Sequence, residues 1–164
     1  MIAITLLLTC LAMPLPHSAS PKAFDFRPEL FFFGATHGQG ILKVRGKAPR
    51  RFTVQSRGRM EANNLFRLDQ TVTFADGAVE TRTWYLRPLD GSRYSASLSD
   101  ARGSVSAETK GNLFHLRYLI RKPSVYMEQW LYLQSDGRTV LNIGKVRIFG
   151  IQLAELSETI ACTL

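Results

Sequence analysis

Six side chains in this chain of 164 residues have types and spacings that could do chemistry. Arg82 and Trp84 stand two residues apart, and so do Glu128, Trp130 and Tyr132. In an extended strand that spacing puts each group on one face. If both faces point into a common interior, aromatic walls would surround a guanidinium and a carboxylate, a suitable lining for an amphiphilic ligand. His115 joins this candidate ligand-binding set, and His115 or Glu128 would serve as the base if the protein were an isomerase or hydrolase. The competing reading is structural: an Arg–carboxylate pair stacked on tryptophan that closes a barrel at its base.

Other chemistry finds little support. Gly34, Gly38 and Gly40 precede a strand and lack the Lys-Ser/Thr of a phosphate loop. The sequence has no HExxH, CxxC or Gly-x-Ser-x-Gly pattern. His37 and His115 are far apart, and neither stands at metal-ligand spacing with an acid or a cysteine. No catalytic residue, cofactor or metal is therefore expected, and the protein reads as non-enzymatic.

The elements that must position these groups are strands. Phe66, Leu68, Val72 and Phe74 alternate with polar residues at the two-residue period of a half-buried strand. Asp76-Gly77, Asp90-Gly91 and Asp136-Gly137 suit the positive φ angles of tight hairpins. Further breaks fall at Gly46 to Pro49, Asn63-Asn64, Lys110 to Asn112 and Lys122 to Ser124. Turn signals recur through the chain with no linker between them. About nine or ten antiparallel strands in up-and-down order follow, and a meander of that length closes to remove its edges. The expected fold is all-β, a single small barrel over residues 21–164, with a sandwich as the alternative. Phe24, Phe26 and Leu30 to Phe33 concentrate aromatic and apolar side chains before the first strand, suited to plugging one end. The 113–120 and 125–133 strands are apolar on both faces and call for an outer cover, either that aromatic segment or a second subunit.

Hydrophobic residues make up 45% and charged residues 21%, a globular composition. Two cysteines exclude a disulfide scaffold and a four-thiolate zinc site. The net charge of +8 favours anionic surroundings. Lys43, Arg45, Lys47, Arg57 and Arg59 fall on outward strand faces, where an anionic membrane surface is the expected partner. The stretch lacks interleaved stacking aromatics, and nucleic acid is not expected. All Lys and Arg lie at residue 22 or later. The apolar run from Met1 to Met13 is too short to span a membrane and fits the core of a secretory signal, so residues 1–20 are expected to be a leader. Cys10 within Leu7-Leu8-Thr9-Cys10 is an imperfect site for an acyl anchor and reads as an ordinary leader cysteine. Cys162 would remain as a lone, inert thiol.

Several spaced motifs together resemble one family. They are Pro28 to Gly34, Arg50 to Val54, Asp76-Gly77, Arg82-Thr83-Trp84, Gly111-Asn112, Trp130 to Gln134, Leu141-Asn142 and Phe149-Gly150. In this order the chain resembles the bacterial DUF3833 proteins from Pro28 to Glu155. It departs from their pattern at Gln39, Glu128-Gln129 and Asn142-Ile143-Gly144. The resemblance implies a calycin-like, lipocalin-type barrel with a central cavity, exported to the periplasm or envelope of a Gram-negative bacterium. The expected role is binding a small hydrophobic or amphiphilic molecule. The alternative is an envelope assembly factor with a filled barrel and a protein partner. Asn112 and Asn142 are expected at turns or strand ends.

Overall fold

The computed structural model of the protein describes residues 25–121 and 124–163. A short helix, α1 (Pro28–Phe31), leads into ten strands: β1 (Gly34–Val44), β2 (Arg50–Met60), β3 (Phe66–Phe74), β4 (Val79–Asp90), β5 (Arg93–Leu98), β6 (Val105–Lys110), β7 (Leu113–Arg121), β8 (Val125–Leu133), β9 (Thr139–Ile148) and β10 (Ile151–Cys162). Each strand pairs antiparallel with its neighbours in sequence, and β1 pairs with β10 to close the barrel. The barrel, the strand count and the simple order are those expected. A single 3-10 turn at Ala62–Asn64 joins β2 to β3 at the expected Asn-Asn break, with Asn63 and Asn64 at positive φ.

Alternation decides which residues make the interior. On β2 and β3, Phe52, Val54, Leu68, Val72 and Phe74 are buried while the residues between them are more open. On β8 the buried set is Met127, Gln129, Leu131 and Leu133. The interior falls into two packed clusters. The larger holds Phe66, Trp84, Phe114, Leu116 and Tyr118 beneath Phe26, Phe31 and Phe32. The smaller, Phe52, Val54, Val72 and Phe74, lies toward the opposite end.

The aromatic segment before β1 does plug an end. Proline at the start of α1 pre-sets its φ, and the Phe26 N–H donates to the Gly111 carbonyl at 2.7 Å, which ties the segment to the β6–β7 turn. Phe26 and Phe31 meet edge to face. Buried Glu29 accepts from Arg27 at 2.9 Å and from the Tyr94 hydroxyl at 3.1 Å, locking α1 onto the rim. Burial and that carboxylate together push the Tyr94 phenol well above its usual range. Leu30 and Phe33 face solvent, and Phe24, Cys10 and residues 1–20, expected to be a leader, lie outside the described residues. Cys162 packs under the plug with its thiol 3.5 Å from the Phe31 carbonyl, and burial raises its pKa, which lowers the fraction present as thiolate.

Candidate functional site

The six predicted residues divide between two faces. Arg82 and Trp84 point into the barrel, whereas His115, Glu128, Trp130 and Tyr132 lie on its outer face. The expected convergence of all six therefore does not occur. Cross-strand register supplies the reason: Phe114 pairs with Leu131 and Leu116 with Gln129, whereas His115 pairs with Trp130 and Arg117 with Glu128. Turning that second row inward would bury His115, Arg117 and Glu128, which is far more costly than exposing part of an indole. The sequence held this signal, since Met127, Gln129, Leu131 and Leu133 include no ionisable group.

Inside, Trp84 is 6% exposed and meets Tyr118 edge to face at 5.4 Å. Its indole N–H donates to Gln70 Oε1 at 2.9 Å, and the Gln70 amide donates to Ser56 Oγ at 3.1 Å. The Tyr118 hydroxyl donates to Gln129 Oε1 at 3.3 Å, and burial pushes that phenol up to about 12. Asn142 is not at a strand end: it sits within β9, buried, and donates to Glu158 Oε2 at 3.0 Å. Asn112 does occupy its turn, donating to the Leu133 carbonyl. Glu158 reaches over Gly38, where a Cβ would stand 2.2 Å from its Oε1, so the glycine makes room for the carboxyl.

Arg82, Gln70, Gln129, Asn142 and Glu158 border a void of about 40 Å³ among the apolar side chains. Arg82 Nε and Asn142 Oδ1 are buried there with no hydrogen-bond partner among the described residues. The Arg–carboxylate pair of the structural reading is therefore not made by Arg82 among the described residues. Gln70, Gln129, Asn142 and Glu158 escaped the sequence reading because polar residues on a strand look alike whichever way they face. Gln70, Gln129 and Glu158 did carry a readable hint, since each is flanked two residues either side by apolar residues: Leu68 and Val72, Met127 and Leu131, Leu156 and Ile160.

Burial raises the Glu158 pKa, partly offset by the Asn142 hydrogen bond and the nearby Arg82 and His37 charges. A carboxyl with a raised folded-state pKa contributes most to stability below its unfolded pKa, and that contribution is lost as pH rises through the folded value. Thermal unfolding of Glu158→Gln should therefore match wild type near about pH 4 and exceed it near about pH 8. A mutant less stable than wild type only at the higher pH would contradict this account.

Outside, His115 Nε2 lies 3.0 Å from Glu128 Oε1, and its ring stacks beside Trp130 at 5.6 Å. Arg147 donates to the other Glu128 oxygen at 2.6 Å. Both carboxylate oxygens are engaged, so Glu128 would have to give up an ion pair to act as a base. The cover expected over this sheet is not the aromatic segment, which went to the barrel end. Basic side chains supply part of it: Lys145 lies over Trp130 at 6.0 Å and Arg117 over Tyr126 at 4.9 Å. Among the described residues, no three His, Cys, Asp or Glu side chains form a candidate metal site.

The barrel has solved counterparts. The S-type phycobiliprotein lyase CPES of Guillardia theta superposes with a TM-score of 0.66 at 7% identity, over 83% of this chain and 90% of that one. Rv2717c of M. tuberculosis gives 0.60 at 15% identity, over 85% and 100%. A protein of unknown function from the DUF3598 family of Nostoc punctiforme gives 0.64 at 13% identity, over 89% and 53%. These likenesses show the fold, a calycin-like barrel of the lipocalin type. No curated protein matches the sequence. The model of the family of unknown function DUF3833 matches residues 4–161, almost the whole chain, and the protein belongs to that family.

Proposed function

We propose that the protein is a non-enzymatic binding protein of the bacterial envelope that holds the polar head of a small amphiphile inside its barrel, with Arg82 as the anchor. The observation that supports this is the pair of buried, unpartnered groups on the void, the Arg82 Nε donor and the Asn142 Oδ1 acceptor. A buried polar group left unpaired costs about 1–3 kcal/mol, which a head offering both an acceptor and a donor would remove. The void of about 40 Å³ admits roughly three water-sized units at about 10–15 Å³ each, enough for a carboxyl-sized head. The apolar part would extend toward the smaller cluster, where the Phe52 and Phe74 rings, 6.0 Å apart, must turn aside. Export is supported by the leader-like composition of residues 1–20. Surface charge is compatible with an anionic membrane, because Lys43, Arg45, Lys47, Arg57 and Arg59 are all exposed.

The small size of that same void favours the second reading, a filled-barrel assembly factor that works through a protein partner. Titration with an environment-sensitive fatty acid probe separates the two. Wild type should give saturable binding, Arg82→Gln should weaken it about tenfold or more by removing a charged hydrogen bond, and Phe52→Ala should tighten it by opening a path for the tail. Native mass spectrometry of protein drawn from its own envelope should show a co-purifying small molecule. If the probe does not saturate and nothing co-purifies, the filled-barrel reading takes its place.

A further inference from the structure

Where β9 turns into β10, the hairpin loop consists of two residues, Phe149 and Gly150, with φ of +46° and +84°. Positive φ at both positions suits Asn-Gly, and a phenylalanine there is disfavoured. Its ring packs nothing away either: Phe149 is 73% exposed, and Ile151 beside it is 58% exposed. An apolar side chain held in a strained backbone and left in solvent has no folding rationale. Directly behind it lies a surface concavity of about 230 Å³, lined by Arg117, Tyr126, Lys145 and Arg147 with Glu128 as its only acid. Arg147 is engaged with Glu128, while Arg117 and Lys145 make no ion pair among the described residues. On the other flank the Arg45 N–H donates to the Leu153 carbonyl, which brings exposed Arg45 and Lys47 against the start of β10.

We infer that the β9–β10 hairpin is a membrane-docking tip. Phe149 and Ile151 enter the acyl boundary of an anionic bilayer, and Arg117 and Lys145 receive lipid phosphates in the concavity behind them. Charge complementarity selects this occupant: an apolar wedge flanked by cations on both sides fits the interface between anionic headgroups and chains. The inference concerns the outside of the barrel and stands or falls separately from the interior ligand site.

Sedimentation of the full chain with phosphatidylcholine vesicles, with and without phosphatidylglycerol, tests it. Wild type should partition into the anionic vesicles, more weakly as salt screens the cations. Phe149→Asn installs the dipeptide the turn prefers, so its thermal midpoint should hold or rise while partitioning falls about tenfold. Lys145→Gln should reduce partitioning about fivefold, on anionic vesicles only. All variants share residues 1–24, so differences among them report on the barrel. Equal binding of Phe149→Asn and wild type, or equal binding to neutral and anionic vesicles, overturns the inference. So does saturable binding of inorganic phosphate without vesicle partitioning, or a wild-type dimer that Phe149→Asn dissociates without any vesicle binding.

Discussion

Gly58→Ala should lower stability by about 3 kcal/mol, the upper part of the range for overpacked sites, and drop the thermal midpoint by about 10 °C for a domain of this size. Gly58 lies on β2 directly beneath the plug. A Cβ there would stand 2.0 Å from the Phe32 carbonyl oxygen and 2.5 Å from the Phe66 ring. The first of these neighbours is backbone, so relief requires lifting α1 and Phe33, which bridges to Gly58, away from the rim. Lifting that segment would also uncover Phe26, Phe31 and Phe32, and the chain at Phe31 and Phe32 should become cleavable by chymotrypsin. Gly144→Ala is the natural comparison. Its new Cβ would meet Met127 Cε at 2.7 Å and Leu156 Cγ at 2.8 Å, side-chain atoms able to shift, so a loss of only about 1 kcal/mol is expected. If the two alanine variants melt together, backbone contact at Gly58 is not what seats the plug.

The two tryptophans should respond very differently to truncation. Trp84→Ala removes a 6% exposed indole, its contact with Tyr118 and its hydrogen bond to Gln70, and is expected to cost about 4 kcal/mol. It also leaves Gln70 Oε1 without its donor. Trp130→Ala opens no cavity in the core, since its ring lies on the outer face between His115 and Lys145, and about 1 kcal/mol is expected. Urea denaturation of both variants measures the gap. Equal losses would mean that the outer ring is covered by something that these contacts do not include.

The strands, their turns and their up-and-down order were legible in the sequence because each depends on local chemistry. Alternation along Phe66 to Phe74 reports a half-buried strand wherever its partner lies. Asp76-Gly77 and Asp136-Gly137 mark hairpins because their backbones tolerate positive φ, and Gly77 and Gly137 adopt it. The motifs that pointed to DUF3833 were legible for the same reason: they follow chain order. What stayed hidden was the facing of strands apolar on both sides. Trp130 and Met127 are both credible core residues, and only the pairing of Leu131 with Phe114 and Trp130 with His115 assigned them to opposite faces. A one-residue difference in phase moves every side chain of a strand to the other side of the sheet, and that phase is set between strands. The meeting of Arg82 on β4 with Glu158 on β10 and Asn142 on β9 likewise exists only once the barrel has closed. Closure also determined how much room remains: the volume inside is a small difference between a ring of ten strands and the side chains that fill it, and no count of residue types specifies that difference.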